Sequence, residues 1–504
     1  MKPCIDLNPD GIKRLRQIGE RLVSYNIEMT EVTGGTFWKA YTPGQIAGTE
    51  AFPPLSFGDR KDFTAMSELM EDYPPIDLYN EKLRALASAL GPAWIRVSGS
   101  WATKTYYDFA GETGGKAPAG YRSVLTKEQW IGVLDFVQAV GGKLLVSVSN
   151  CAGDHPGGGP LDLSQTRKLF AFSHSYGVDI AAAEFMNEPN LLAFSGAPAG
   201  YTAKDYARDQ DRFFQWVRQH EPACLLVGPC TTSDPSLPSA REKGLAAGKG
   251  SVLPVCTTQD LMEGTTIRPD VFSYHYYNGI SERGASFAPN SCWSGDAALS
   301  EAYLSVAPHC AQDHAALRDR YVPGGPVWVT ESGDAGAGGS TWAATYLDVP
   351  RTLNELGSFA TITDGVIFHN TLASSDYGFL NHGTFAPRPN YFAVWLWNQL
   401  MGPTVYDCGN PNVEGAHLYC HSRRDGKAGV VYLLINNSPT ETTTVHLPKQ
   451  AEQYTLSAET LRATTMMVNG MPLTEPVSLS DLPKLVCEEG LVEVQPGTCT
   501  FLRL

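Results

Sequence analysis

At 504 residues, with 43% hydrophobic and 18% charged residues, the chain is long enough for a large folded domain plus a companion and too apolar to be disordered. Its formal net charge of −15 argues against nucleic acid, anionic membrane surfaces and heavily sulfated polymers, all of which call for basic surface. No apolar run of about 18 residues is present, so no transmembrane helix and no membrane partner are expected.

The first 22 residues lack the apolar stretch of a secretory signal. The expectation is a cytoplasmic protein, with a secreted one that has lost its leader as the alternative. The 11 cysteines are scattered without metal-like spacing, so reduced, buried thiols and no metal are expected. The sequence carries no signal of oligomeric state.

In chain order, residues 1–20 form an N-terminal segment expected to pack on the β-rich end of the chain. Eight short apolar runs then recur: 23–29, 94–98, 143–149, 181–186, 224–228, 271–277, 326–331 and 365–370. Near-continuous apolar runs suit parallel strands buried on both faces. Helical spacing fills many of the gaps. Trp130, Val133, Leu134, Val137 and Val140 share one face, as do Tyr206, Phe213, Phe214 and Val217. Alternating strands and helices with eight repeats predict a (β/α)8 TIM barrel over residues 21–403. Long insertions are expected at 30–79 and 278–320, on the rim that builds the active face. From 404 to 504 short β-like runs separated by turns predict an antiparallel β-sandwich, with Asn469-Gly470 as a hairpin turn.

Two glutamates close apolar runs and are followed by loop residues: Glu188 in Asn187-Glu188-Pro189-Asn190 and Glu331 in Thr330-Glu331-Ser332. A barrel gathers strand ends on one face, so it can bring these distant carboxyls together. A pair of carboxyls is what glycoside hydrolysis requires, and the gap between them decides retention or inversion. Trp38, Trp101, Trp293 and Trp342 fall in or near rim loops, where they either stack on sugar or stitch loops together. Asp154 and His155 form an adjacent pair too sparse for a metal site, and a solvated or substrate-contacting loop is expected there.

The run Asn187-Glu188-Pro189-Asn190, the segment from His275 to Gly279, Thr330-Glu331-Ser332 with its glycine-rich loop, and the stretch 367–402 together resemble the heparanase and β-glucuronidase family of retaining glycoside hydrolases. The segment 94–108 and the β-rich terminus resemble it too. That likeness implies a retaining exo-β-glycosidase, β-glucuronidase first, with carbohydrate as its partner and no cofactor. It implies Glu188 as acid/base and Glu331 as nucleophile, with a Glu188 pKa raised by the neighbouring Glu331. It further implies Asn187 at the sugar 2-hydroxyl, Glu28 at sugar hydroxyls, and His275 and Tyr277 near the nucleophile. Gly338, Gly339 and Tyr377 would hold the uronate carboxylate. The sequence departs from the family after Glu331, where Gly or Ala replaces a tyrosine and Asp334 adds an acid. A β-glycosidase for a neutral sugar, a glucoside or xyloside, is therefore the alternative, and a non-catalytic carbohydrate-binding protein a further one.

Overall fold

The computed structural model describes residues 4–52, 67–242, 256–285, 289–409 and 412–504. Eight parallel strands close into a barrel: β1 (Val23–Glu28), β2 (Trp94–Ser98), β3 (Lys143–Ser147), β4 (Ile180–Glu184), β5 (Leu225–Thr231), β6 (Val271–Ile280), β7 (Val327–Gly336) and β8 (Ile367–His369). Each pairs with its sequence neighbours, and β8 pairs with β1. All eight expected runs are barrel strands.

The strands are buried on both faces, but their period of two still matters. Trp94, Leu145, Val227, Trp328 and Phe368 form an apolar cluster, with Trp94 and Trp328 ring centroids 4.9 Å apart. Two residues on from Trp94, on the same face of β2, comes Arg96, and it is fully buried. Ile95 and Val97 belong instead to the core shared with the helices. The barrel interior thus has an apolar floor and, one layer higher, a polar layer beneath the active rim.

The helices begin where the sequence caps them. Thr126 accepts from the Gln129 amide to start Lys127–Ala139, and Thr202 accepts from Asp205 to start Ala203–His220. Two expectations change. The segment 278–320 is not one loop: β6 runs on to Ile280, and Val306–Tyr321 is a regular helix burying Val306, Ala307, Cys310, Ala311 and His314 at helical spacing. Glu331 does not end its strand, since β6 and β7 continue together as a ribbon to Ile280 and Gly336. In 30–79, the helix Met29–Thr33 and the antiparallel pair Gly35–Trp38 and Met70–Tyr73 are described.

The β-rich end forms a nine-stranded sheet and a three-stranded sheet. N-terminal residues join both. Lys13–Gln17 pairs antiparallel with Met401–Asp407, and Cys4–Asp6 pairs parallel with Thr443–Leu447. Asn469 and Gly470, with φ of 50° and 79°, make the hairpin turn between Met466–Val468 and Met471–Leu473. One face of the large sheet packs on the barrel helix Asp348–Ile362, where the Tyr419 hydroxyl donates to Asn354 Oδ1 at 2.7 Å. A Cβ on Gly357 would lie 2.4 Å from the Tyr419 ring, so glycine allows this approach. Among the described residues, none of the 11 cysteines forms a disulfide. Among the described residues no helix is long and apolar enough to cross a membrane.

Candidate active site

Glu188 and Glu331 arrive by different backbone routes. β4 ends at Glu184, and Glu188 follows in a left-handed conformation (φ 44°, ψ 55°) at the start of the 3-10 turn Pro189–Ser195. A non-glycine residue held there is strained and over-determined by its surroundings. Glu331 sits inside β7 where the pairing with β6 slips: Tyr274 faces Val329, but His275 faces Glu331. The extra residue re-aims the side chains that follow.

The carboxyls meet across His275. Its Nδ1 lies 3.1 Å from Glu188 Oε1 and 3.6 Å from Glu331 Oε2, and the nearest groups of all three lie within 4.8 Å of one another. Arg96 Nη2 donates to His275 Nε2 at 3.2 Å. Because a guanidinium only donates, Nε2 accepts and the ring proton is on Nδ1, facing Glu188. Burial pushes the imidazole pKa down to about 4, against the pull of Glu331, so the ring is neutral at pH 7.

Arg96 is the hub of the buried layer. Nε donates to Glu184 Oε2 at 3.0 Å, Nη1 to Glu331 Oε2 at 3.2 Å, and Nη2 to Asn187 Oδ1 at 2.8 Å. The last bond fixes which way the Asn187 amide faces. Glu331 receives a second donor on its other oxygen, the Tyr277 hydroxyl at 2.5 Å. Asn370 Nδ2 bridges the Tyr277 hydroxyl and the Tyr377 hydroxyl, each at 3.0 Å, and Glu28 Oε1 at 3.3 Å. Glu28 is buried, and burial and then Glu331 raise its pKa well above the carboxylate range. Its other oxygen comes so close to Gly99 (φ 90°) that a Cβ there would lie 1.5 Å away.

The Glu188 side chain is 13% exposed and the Glu331 side chain 9%. Burial raises the Glu188 pKa to about 7, opposed by a hydrogen bond from Thr232 and by Arg96. The cause is desolvation, and not the charge of Glu331 as expected from sequence.

Glu28, Asn187, Glu188, His275, Tyr277, Glu331 and Tyr377 therefore converge. Gly338 and Gly339 line the same wall but are packed: a Cβ on Gly338 would meet Trp38 at 2.7 Å, and one on Gly339 would meet Tyr377. The Gly339 amide donates to Ala335 O at 3.1 Å. It is committed within its own loop. Asp334 points the other way, as alternation along β7 requires. Ser332 bonds Glu355 of the helix behind the strand, Gly333 packs against Tyr277 and Tyr377, and Asp334 accepts from the Ser340 amide at 2.8 Å. Burial and Asp348 lift its pKa to about 8. It faces the rear of β7 and does not oppose an anion in the cleft.

Sequence reasoning missed Arg96, Glu184 and Asn370. The signal was present for two of them, a charge inside an apolar strand, which is almost never buried unless paired. Trp293 and Trp342 serve as packing groups, Trp342 being fully buried against Tyr303. Asp154 accepts from Ser149 and Tyr121, and His155 bonds Asn150 and Gly159, a self-contained loop cluster. Among the described residues, Glu188, His275 and Glu331 are the group spaced to hold a cation. Arg96 already brings positive charge to two of the three.

The closed barrel, the paired carboxyls and their spacing define a retaining glycoside hydrolase. In sequence the chain is similar to heparanase-like proteins, a heparanase and a β-D-glucuronidase. It is 25% identical to heparanase-like protein 1 of Arabidopsis thaliana over 81% of this chain and 80% of that one. It is 29% identical to the baicalin-β-D-glucuronidase of Scutellaria baicalensis over 22% of this chain and 21% of that one. No family model matches. In fold, it resembles a 4-O-α-L-rhamnosyl-β-D-glucuronidase from Fusarium oxysporum, with TM-score 0.62, 14% identity and 99% and 100% of the two chains covered. It also resembles a GH51 arabinofuranosidase from Xanthomonas axonopodis pv. citri, with TM-score 0.58, 16% identity and 99% of each chain covered.

Proposed function

We propose that this protein is a retaining exo-β-glycosidase acting on β-D-glucuronides, with Glu331 as nucleophile and Glu188 as acid/base. The observation that carries the reaction type is the carboxyl spacing. Oxygens of the two groups lie within 4.8 Å. Inversion needs a wider gap of roughly 6.5–9.5 Å to seat a water.

In the first step Glu331 attacks the anomeric carbon, the glycosidic C–O bond breaks, and the Glu188 proton passes to the leaving oxygen. In the second, water gives a proton to Glu188 and attacks the same carbon, releasing Glu331. Tyr277 and Arg96 hold Glu331 in line, and Asn187, Glu28 and Asn370 are disposed to bind sugar hydroxyls. Beside Gly338 and Gly339 stand Trp38 and Tyr41, with Arg283 packed against both rings. Tyr377 supports a uronate there, and Asp334 faces away from it.

A neutral sugar is the second reading, favoured by the committed Gly339 amide. A panel of nitrophenyl β-glycosides separates the two, with NMR of the first-formed anomer to read retention. Glucuronide turnover no faster than glucoside turnover would sink the first reading, and an inverted product would sink the mechanism.

A further inference from the structure

The glucuronide reading raises the question of what makes this site favour a charged sugar, and the inference rests on that reading. A pyranose whose O2 faces Asn187 points its C5 substituent the opposite way, because C2 and C5 lie across the ring. In the closed order of strands, β4 and β8 are diametrically opposed. The C5 group therefore meets the wall built above β7, β8 and β1 by Trp38, Gly338, Gly339 and Tyr377.

Behind that wall lies a buried cluster of charge. Arg283 follows β6, is 4% exposed and donates to three residues on two loops. Nε bonds the Tyr41 hydroxyl at 2.9 Å, Nη1 bonds Lys39 O at 2.8 Å, and Nη2 bonds Asp376 Oδ2 at 3.1 Å. Its guanidinium lies 4.0 Å from the Tyr41 ring centroid and 5.9 Å from that of Trp38. The Tyr41 hydroxyl in turn donates to Gly339 O at 2.6 Å. Arg388, 9% exposed, donates through one nitrogen to the carbonyls of Ser375, Asp376 and Gly378. The buried part of the wall holds two guanidiniums against the single carboxylate of Asp376. Glu282, half-buried, is held further out by the Thr341 amide and hydroxyl at 3.0 and 2.9 Å.

The floor of the cleft, one layer below this wall, is acidic, with Glu28, Glu184 and Glu331 around Arg96. The site is thus bipolar, and an excess positive charge buried away from water is costly until an anion approaches it.

We propose that Arg283, backed by Arg388, is the specificity-determining cation of this site. It acts through the wall, by field and by holding Tyr41 against Gly339, and not by touching the sugar. Buried charge behind a water-excluding wall is poorly screened, so its field reaches the C5 carboxylate.

The test compares kcat/KM for p-nitrophenyl β-D-glucuronide and β-D-glucoside. In Arg283→Gln the glucuronide value falls by at least about tenfold through KM while the glucoside value stays within about threefold. Arg283→Lys, which keeps the charge, restores the glucuronide preference. Asp376→Asn, which removes the opposing carboxylate, raises that preference, and it decides the matter if Arg283→Gln does not fold. Parallel losses on both substrates, or a preference unchanged in Arg283→Gln and Asp376→Asn, overturn the inference. A parent enzyme with no glucuronide preference overturns the underlying reading instead, before any variant is made.

Discussion

The end of β4 and the middle of β7 each deliver one glutamate to the cleft, and the two deliveries differ in every physical respect. Glu331 lies in a hydrogen-bonded ribbon, with a donor on each oxygen and a guanidinium among them. Glu188 stands on a strained left-handed residue beyond its strand, with the neutral His275 and Thr232 as partners. Donors and a fixed charge favour an ionised group that stays in place, while burial with few donors favours a group that carries a proton. The proposed division into nucleophile and acid rests on surroundings, since the side chains are chemically identical.

Four experiments break or sharpen that comparison. Removing the nucleophile, Glu331→Ala, lowers kcat by on the order of 10⁴-fold or more, measured with a nitrophenyl glycoside at saturating substrate. Residual turnover within tenfold of the parent ends the assignment.

Glu188→Ala costs roughly 10²- to 10⁴-fold with a poor leaving group and far less with nitrophenol, whose departure needs little protonation. Equal losses with both leaving groups contradict an acid role. The same residue sets the pH profile. In the proposed mechanism Glu188 works protonated in the first step, and burial raises its pKa to about 7. Activity therefore falls as pH rises through about 7, and that alkaline limb vanishes in Glu188→Ala.

Tyr277→Phe removes one of the two donors to Glu331 and lowers kcat/KM roughly 10- to 100-fold. A change of less than twofold means the hydroxyl serves packing alone.

The smallest effect is expected for Thr232→Val. Its hydrogen bond opposes the rise in the Glu188 pKa, so the alkaline limb moves upward by less than about one pH unit. A downward shift reverses the reading of that contact.

Much of this site is legible in the linear chain. The eight apolar runs and the two glutamates that follow apolar runs stand out, because buried strands leave local marks, although Glu331 lies inside β7 and does not close it. The Asn469-Gly470 turn also stands out, since a two-residue hairpin demands left-handed backbone. Tyr277 and Tyr377 are reached only through the family resemblance. Arg96 and Glu184 were half-legible as charges in apolar strands, although nothing local says which groups pair with them.

The sequence by itself thus determined the barrel, the sheets after it and the identity of the paired carboxyls, because periodicity and loop chemistry are short-range properties. Only the tertiary structure decided where charge and protons sit. It turned Asp334 to the back of β7, committed the Gly339 amide to Ala335, placed the proton of His275 on Nδ1, and gathered Arg283 from the loop after β6 with Asp376 and Arg388 from the loop after β8. The physical reason is that pKa values and electrostatic fields depend on burial and on neighbours across space, and those neighbours lie up to hundreds of residues apart in the chain.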